Sequence, residues 1–83
     1  MSKKQKLIER LKTKPKNFSF DEMESLLCSL GFVKSNKGRT SGSRVKYVLD
    51  GIDIRIHRPH PGNILKYYQV VQVLNALERE GLI

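Results

Sequence analysis

The sequence predicts a small α+β domain in which helices cover one face of a three-stranded antiparallel sheet. Two segments with alternating apolar residues meet at Asp50-Gly51, which is the strongest short-range signal for a β-hairpin. Apolar residues also recur at helical spacing on both sides of this hairpin, around residues 20–30 and 67–80. A chain of 83 residues builds one modest core, so we expect a single domain over residues 1–83.

The register of the predicted hairpin follows from its two-residue loop. Both loop positions of a type I′ turn take positive φ, which glycine adopts freely and aspartate tolerates. A slip of one residue would bury five polar or charged groups, so the pattern specifies one register. Counting outward from the loop, one face of the hairpin holds Val45, Tyr47, Leu49, Ile52, Ile54 and Ile56, and the other holds Arg44, Lys46, Val48, Asp53, Arg55 and His57.

The second of these faces is mostly cationic. It sets Lys46 opposite Arg55, and like charges on facing strands cost up to ~1 kcal/mol. A surface that tolerates this repulsion is suited to an anionic partner. A solvated outer face on a one-sided antiparallel sheet is the alternative interpretation, and the pattern alone favours neither.

The strongest helix signal lies before the hairpin. Ser19 and Glu22 have the spacing of a capping box, and Gly31 is the expected left-handed residue that ends the helix. Cys28 lies beside the apolar stripe of this helix, and we expect it to be a small buried hydrophobe. A short first strand over residues 32–35 follows and leads through a polar loop into the hairpin.

The two ends of the chain are also predicted to be helical. Residues 2–13 fit a short helix, although a frayed basic arm over residues 1–16 fits the same segment. The final helix begins near Tyr67. Tyr67 and Tyr68 could stack on nucleobases, but near the start of an amphipathic helix we expect at least one of them to lie in the core. Residues 17–83 would then form an α-β-β-β-α core, to which the N-terminal helix is an addition.

The formal charge of +8 is concentrated in two blocks. Residues 1–16 hold seven Lys or Arg and one Glu, and residues 34–46 hold five bases and no acid. Such blocks indicate a polyanionic partner, and nucleic acid is the leading class. A single cysteine and the lack of a long apolar run favour a cytoplasmic protein. His57 and His60 make only half a zinc site, so neither a metal nor another cofactor is expected.

Four segments, in a fixed order along the chain, carry a family resemblance: Ser25-Leu26-Leu27 through Gly31-Phe32, Ser41-Gly42-Ser43-Arg44, His57-Arg58-Pro59-His60-Pro61-Gly62 and Glu80-Gly81-Leu82. With the predicted elements they resemble the double-stranded-RNA-binding-like fold and, more narrowly, the HicA family of toxins from toxin–antitoxin pairs. The resemblance covers roughly residues 17–83. It implies RNA binding, ribosome-independent cleavage of mRNA and neutralisation by a HicB-type antitoxin.

The resemblance also implies a catalytic histidine directly after Gly-Ser, where this chain has Arg44. Arginine keeps its proton in proteins, so Arg44 can hold a phosphate but cannot act as a base. One hypothesis is that His57, which faces Arg44 across the hairpin, supplies the missing imidazole. The alternative is that His57 is a strand-end residue and that the protein binds RNA without cutting it. The residues expected to contact RNA or its phosphates are Arg44, Lys46, Arg55, Ser43, Gly42, Arg58, Lys37 and Arg39.

The sequence therefore favours an mRNA-binding toxin of the HicA type, for which cleavage without a metal and binding without cleavage both stay open. Its expected partners are mRNA and a HicB-like antitoxin, and no membrane is involved. The rival hypothesis is a non-catalytic interaction module whose cationic face binds an acidic protein. An RNA affinity that falls steeply with salt would favour the first hypothesis over the second.

Overall fold

The computed structural model describes residues 3–35, 44–59 and 62–83. Within these ranges it has three helices and one antiparallel sheet of three strands, which confirms the predicted α+β fold with an extra N-terminal helix. Along the chain the elements are α1 (Lys3–Lys12), α2 (Phe20–Ser29), β1 (Val33–Ser35), β2 (Arg44–Leu49), β3 (Ile52–His57) and α3 (Tyr67–Arg79).

The β2–β3 hairpin has the register that the sequence predicts. Its turn residues Asp50 and Gly51 have φ values of 47° and 83°, the positive angles that a type I′ turn needs. All six predicted cross-strand pairs form, beginning with Leu49 and Ile52 beside the turn. β1 pairs antiparallel with the other edge of β2, so the order in the sheet is β1-β2-β3.

Helices cover one face of this sheet. α2 packs against β1 and α3 packs against β3, while α1 lies against α2 and α3. The inward side chains of the hairpin join buried apolar residues of all three helices in one core cluster. Tyr47, at the centre of β2, is fully buried in this cluster. The buried hairpin residues are Val45, Tyr47, Ile54 and Ile56, while Leu49 and Ile52 are partly buried.

Ser19 precedes α2 and forms the predicted capping box. Its Oγ accepts a hydrogen bond from the Glu22 backbone N–H at 3.1 Å, and the Glu22 carboxylate accepts one from the Ser19 N–H at 2.9 Å. After α2 the chain turns at Gly31, whose φ of 107° is left-handed. A Cβ at this position would lie 3.3 Å from a terminal methyl group of Leu49, so both the backbone conformation and the space favour glycine.

α1 is a helix docked on the rest of the protein and not a frayed arm. Its apolar residues Leu7 and Leu11 are buried in the core cluster. Arg10 Nε donates a hydrogen bond of 3.0 Å to Glu22, and Arg10 Nη2 donates one of 2.9 Å to the Asn17 carbonyl oxygen. The hydrogen bond from Arg10 lowers the pKa of the Glu22 carboxyl group. The same carboxylate therefore caps α2 and binds α1.

One polar contact joins the core face of the sheet to α2. The Tyr47 hydroxyl donates a hydrogen bond of 2.6 Å to Glu24 Oε2, and Lys34 Nζ lies 3.2 Å from the same oxygen. The hydrogen bond from Tyr47 lowers the pKa of Glu24. Burial, together with the neighbouring carboxylate, raises the pKa of Tyr47. Both shifts favour the charged Glu24 and the neutral Tyr47 in the folded state.

Two predictions about burial are wrong. Cys28 is exposed, because it lies outside the buried stripe of α2. Tyr67 and Tyr68 are 48 % and 55 % exposed, so neither lies in the core. Both tyrosines belong to the first turn of α3, whose buried residues begin at Gln69 and Val70. The apolar spacing identified each helix but not the width of its buried face.

The Tyr47–Glu24 contact predicts a pH-dependent stability. Because the pKa of Glu24 is lowered by folding, its contribution is present above the unfolded-state pKa, near 4.3, and is lost as the pH falls through the folded-state value. Tyr47→Phe should lower the free energy of unfolding by about 1 kcal/mol at pH 7, since Glu24 is partly exposed. Urea unfolding between pH 7 and pH 3 should show this difference shrinking towards acid. A difference that stays constant over that range would contradict the assignment.

Candidate functional site

The outward face of the sheet is cationic at one end. Arg44 pairs with His57, and two residues along each strand Lys46 pairs with Arg55. These positions alternate with the buried residues of the hairpin, so their side chains lie on the face away from the helices. Lys46 is partly exposed, and the other three residues are exposed. We call Arg44, Lys46, Arg55 and His57 the cationic face.

Asp53 reduces the repulsion that the sequence predicts between Lys46 and Arg55. Its Oδ2 lies 3.7 Å from Lys46 Nζ and 3.4 Å from Arg55 Nη2, so one carboxylate oxygen contacts both cations. Asp53 lies two residues before Arg55 and therefore on the same face of β3. All three side chains are substantially exposed, and exposed ion pairs contribute little to stability. The cations are thus held close together without being removed from water.

A cavity of about 190 Å³ lies between the cationic face and α3. Arg44, Arg55 and His57 line it from the strands, and residues of the first turns of α3 line it from the other side. The cavity therefore combines cationic, aromatic and amide groups within one concave surface. Its complete lining is Arg44, Arg55, Ile56, His57, Tyr68, Gln69, Gln72 and Val73.

Gln69 fixes the two walls of this cavity relative to each other. Its Nε2 donates a hydrogen bond of 2.9 Å to the His57 carbonyl oxygen, and its Oε1 accepts one of 3.1 Å from the Lys66 backbone N–H. Gln69 is only 7 % exposed, and both bonds are partly buried. Sequence reasoning missed this residue. Gln69 is the third residue after the N-cap of α3, which is the Gln position of a capping box. The N-cap itself is Lys66, and the capping-box pattern requires Ser or Thr there, so the sequence does not show the pattern.

Arg58 does not join the cationic face. It follows His57 directly, and its guanidinium lies 5.2 Å from the centre of the Phe20 ring, at the start of α2. This distance fits a cation–π contact, which directs the charge of Arg58 towards the helical side of the sheet. The other predicted RNA-contacting residues lie outside the described part of the chain, as does His60: they are Lys37, Arg39, Gly42 and Ser43.

The lysines of α1 form a separate basic surface. α1 packs on α2 and α3 rather than on the sheet, so its polar side is remote from the outward face of the strands. Lys3, Lys4, Lys6 and Lys12 are all exposed. The lysines of α1 therefore lie on a different side of the protein from the cationic face.

Residues 3–35, 44–59 and 62–83 contain neither a candidate metal site nor a candidate membrane-spanning helix. There, no three His, Cys, Asp or Glu side chains gather in a way that could hold a metal ion. None of the helices in these ranges has the length and apolar character needed to cross a membrane.

Comparison with known proteins gives one finding. A family model described as "HicA toxin of bacterial toxin-antitoxin" matches residues 20–78. The match begins at the first residue of α2 and ends one residue before the end of α3, so it covers the α-β-β-β-α core and leaves out α1. Comparisons with curated proteins and with solved structures give no match.

The role of Gln69 predicts a difference between two glutamines of α3. Gln69→Leu should lower the free energy of unfolding by about 1–2 kcal/mol, because it leaves the part-buried His57 carbonyl oxygen and Lys66 backbone N–H without their partner. Gln72→Leu, an exposed position on the same helix, should change it by less than about 0.5 kcal/mol. Urea unfolding measures both, and hydrogen exchange at the Lys66 amide should accelerate only in Gln69→Leu. Equal effects of the two variants would contradict the role of Gln69.

Proposed function

Because the chain belongs to the HicA toxin family of bacterial toxin–antitoxin systems, we propose that it is the toxin of such a pair and acts by binding mRNA through the cationic face. The observation that carries the proposal is the pairing of Arg44 with His57 and of Lys46 with Arg55 on one open side of the sheet. Arg44, Lys46 and Arg55 place three positive charges on neighbouring outward positions of two strands, and clustered positive charge favours binding to a polyanion such as RNA.

The chemistry of these residues favours contacts to the RNA backbone over readout of base sequence. Arginine can bind a phosphate through two parallel hydrogen bonds, and lysine binds it as a point charge. Strands that face outward cannot enter the deep, narrow major groove of A-form RNA, so 2′-hydroxyls and phosphates are the accessible groups. We therefore expect binding that depends on charge and shape.

A HicB-type antitoxin is the proposed protein partner. An antitoxin that carries acidic groups would neutralise the toxin by covering the cationic face and excluding RNA from it. The proposed site of action is the cytoplasm, where mRNA is present and where an exposed free thiol such as Cys28 stays reduced. The single domain proposed over residues 1–83 would then carry its RNA-binding surface on the side of the sheet opposite to α1.

The proposal predicts the salt dependence of RNA affinity. Replacement of Arg44, Lys46 and Arg55 together by alanine should weaken binding about 100-fold at low salt, because three phosphate contacts are lost. The slope of log affinity against log salt should become shallower by about 2, at ~0.7 per contact for a single strand. Filter binding or fluorescence anisotropy at several salt concentrations measures both quantities.

A control with the same change in net charge separates the cationic face from general electrostatic attraction. Replacement of Lys3, Lys4 and Lys6 by alanine also removes three positive charges, but from α1. It should weaken binding by no more than about threefold. Equal losses in the two triple variants would contradict a site on the strands. An absence of RNA binding by the wild-type protein at low salt would favour the acidic-protein hypothesis instead.

Cleavage of the bound RNA is a second candidate function. The observation that favours it is the position of His57, which pairs with Arg44 and lines the same cavity as Arg44 and Arg55. In the proposed reaction the His57 imidazole takes the proton of a 2′-OH, and the 2′ oxygen bonds to the adjacent phosphorus. The bond from phosphorus to the 5′ oxygen then breaks, and water supplies a proton to that oxygen. The two arginines would stabilise the charge that develops on the phosphoryl oxygens.

This candidate predicts a specific loss of rate in one variant. His57→Ala should slow cleavage of an mRNA by a factor of about 100 or more, since a general base contributes at least this much. Its RNA affinity should stay close to that of the wild-type protein, because the arginines remain. A gel assay should show fragments that end in a 2′,3′-cyclic phosphate, formed equally well with a chelator present. Cleavage that persists undiminished in His57→Ala would exclude the proposed role of this histidine.

A further inference from the structure

The cavity beside the cationic face contains groups that phosphate binding does not use. Tyr68 is 55 % exposed on one wall, and Gln72 follows it by four residues, so both side chains lie on the same side of α3. A half-exposed aromatic ring leaves apolar area in water, although Tyr68 lines a concave surface. Arg44 and Arg55 line the same cavity from β2 and β3.

We propose that this cavity receives one unstacked nucleobase of single-stranded RNA, with the Tyr68 ring as the stacking surface. The inference rests on the proposed function, since Arg44 and Arg55 would bind the phosphates that flank the base. A nucleobase has two flat faces and a polar edge. Tyr68 supplies a flat apolar face, and the Gln72 amide supplies a donor and an acceptor for the edge.

The preference for a single strand follows from what each form of RNA can offer to a cavity. In a duplex the bases are stacked on both sides, and the shallow minor groove presents only their edges and the 2′-hydroxyls. In a single strand one base can leave the stack and enter a concave site, where it stacks on an aromatic side chain. A cavity that Tyr68 shares with Arg44 and Arg55 therefore suits a single strand better than a duplex.

The two walls of the cavity are held together before any ligand binds. Gln69 donates to the His57 carbonyl oxygen and accepts from the Lys66 N–H, which fixes the first turn of α3 on the end of β3. Tyr68 is adjacent to Gln69 in the chain, so the backbone that carries the tyrosine ring is fixed as well. A site formed in advance loses little conformational entropy when a base enters it.

The neighbouring tyrosine provides a matched control. Tyr67 has an exposure of 48 %, close to that of Tyr68, but it does not line the cavity. Successive residues of a helix point about 100° apart, so a base stacked on Tyr68 would not contact Tyr67. The chain has no tryptophan, and a single tryptophan at either position would therefore report on that position alone.

The experiment uses the full chain with Tyr68→Trp and, separately, Tyr67→Trp. Each variant is titrated at fixed salt with oligouridylate and with a duplex of the same length formed from oligouridylate and oligoadenylate. We expect oligouridylate to quench the fluorescence of Tyr68→Trp and to leave that of Tyr67→Trp unchanged. The duplex should quench neither. Equal quenching at the two positions, or quenching of Tyr68→Trp by the duplex alone, would overturn the inference.

Affinity measurements keep this inference separate from the proposed function. Tyr68→Leu should weaken oligouridylate binding about tenfold, whereas Tyr68→Phe and Tyr67→Leu should change it by less than about twofold, because stacking uses the ring and not the hydroxyl. Wild-type affinity in Tyr68→Leu, with binding still lost in the triple alanine variant of Arg44, Lys46 and Arg55, would overturn the stacking site and leave the proposed function standing. Absence of RNA binding by the wild-type chain would overturn both.

Discussion

The two-residue turn at Asp50 and Gly51 is the constraint on which the rest of the structure depends. Both residues have positive φ, and a turn of this kind leaves one register for the strands that flank it. In that register the aliphatic side chains of the hairpin other than Val48 face the helices, and its cations face outward. A shift of one residue would exchange the two faces, so the core and the proposed binding surface are set by the same local feature.

Two polar contacts then determine how the helices sit on the sheet. Apolar packing brings α2 and α3 to the strands but is not directional, whereas a hydrogen bond requires particular atoms to meet. The Tyr47 hydroxyl binds Glu24 on α2, and Gln69 of α3 binds the carbonyl oxygen of His57. The second contact also fixes the first turn of α3, which carries Tyr68, beside the end of β3, where both elements line the cavity.

The features that could be predicted from the sequence are those determined by short segments of chain. The turn at Asp50-Gly51, the register and the capping box at Ser19 each depend on a few neighbouring residues, and all three are confirmed. The exposure of Cys28 could not be predicted, because it depends on which side of α2 the other elements cover. The spacing of apolar residues in a helix indicates which side is buried, but the neighbouring elements determine how wide the buried side is.

The part of the candidate site that lies on the hairpin could be predicted, because it depends on a short segment of chain. The hairpin register is sufficient to place Arg44, Lys46 and Arg55 together with His57. Arg58 is adjacent to His57 in the sequence, but the alternation of side chains and the contact of Arg58 with the Phe20 ring place it apart from these four residues. The cavity could not be predicted, since it exists only where α3 approaches β3.

The role of the cationic face in RNA binding is tested most directly by following the backbone amides of the protein by NMR while RNA is added. If RNA binds at the cationic face, the largest chemical-shift changes should occur in β2 and β3, at Arg44, Lys46, Arg55 and His57. Smaller changes should occur in the first turns of α3. The shifts of α1 should change least, although this helix carries more lysines than any other element. Changes concentrated on α1, with β2 and β3 unaffected, would contradict the assignment of the binding surface to the sheet.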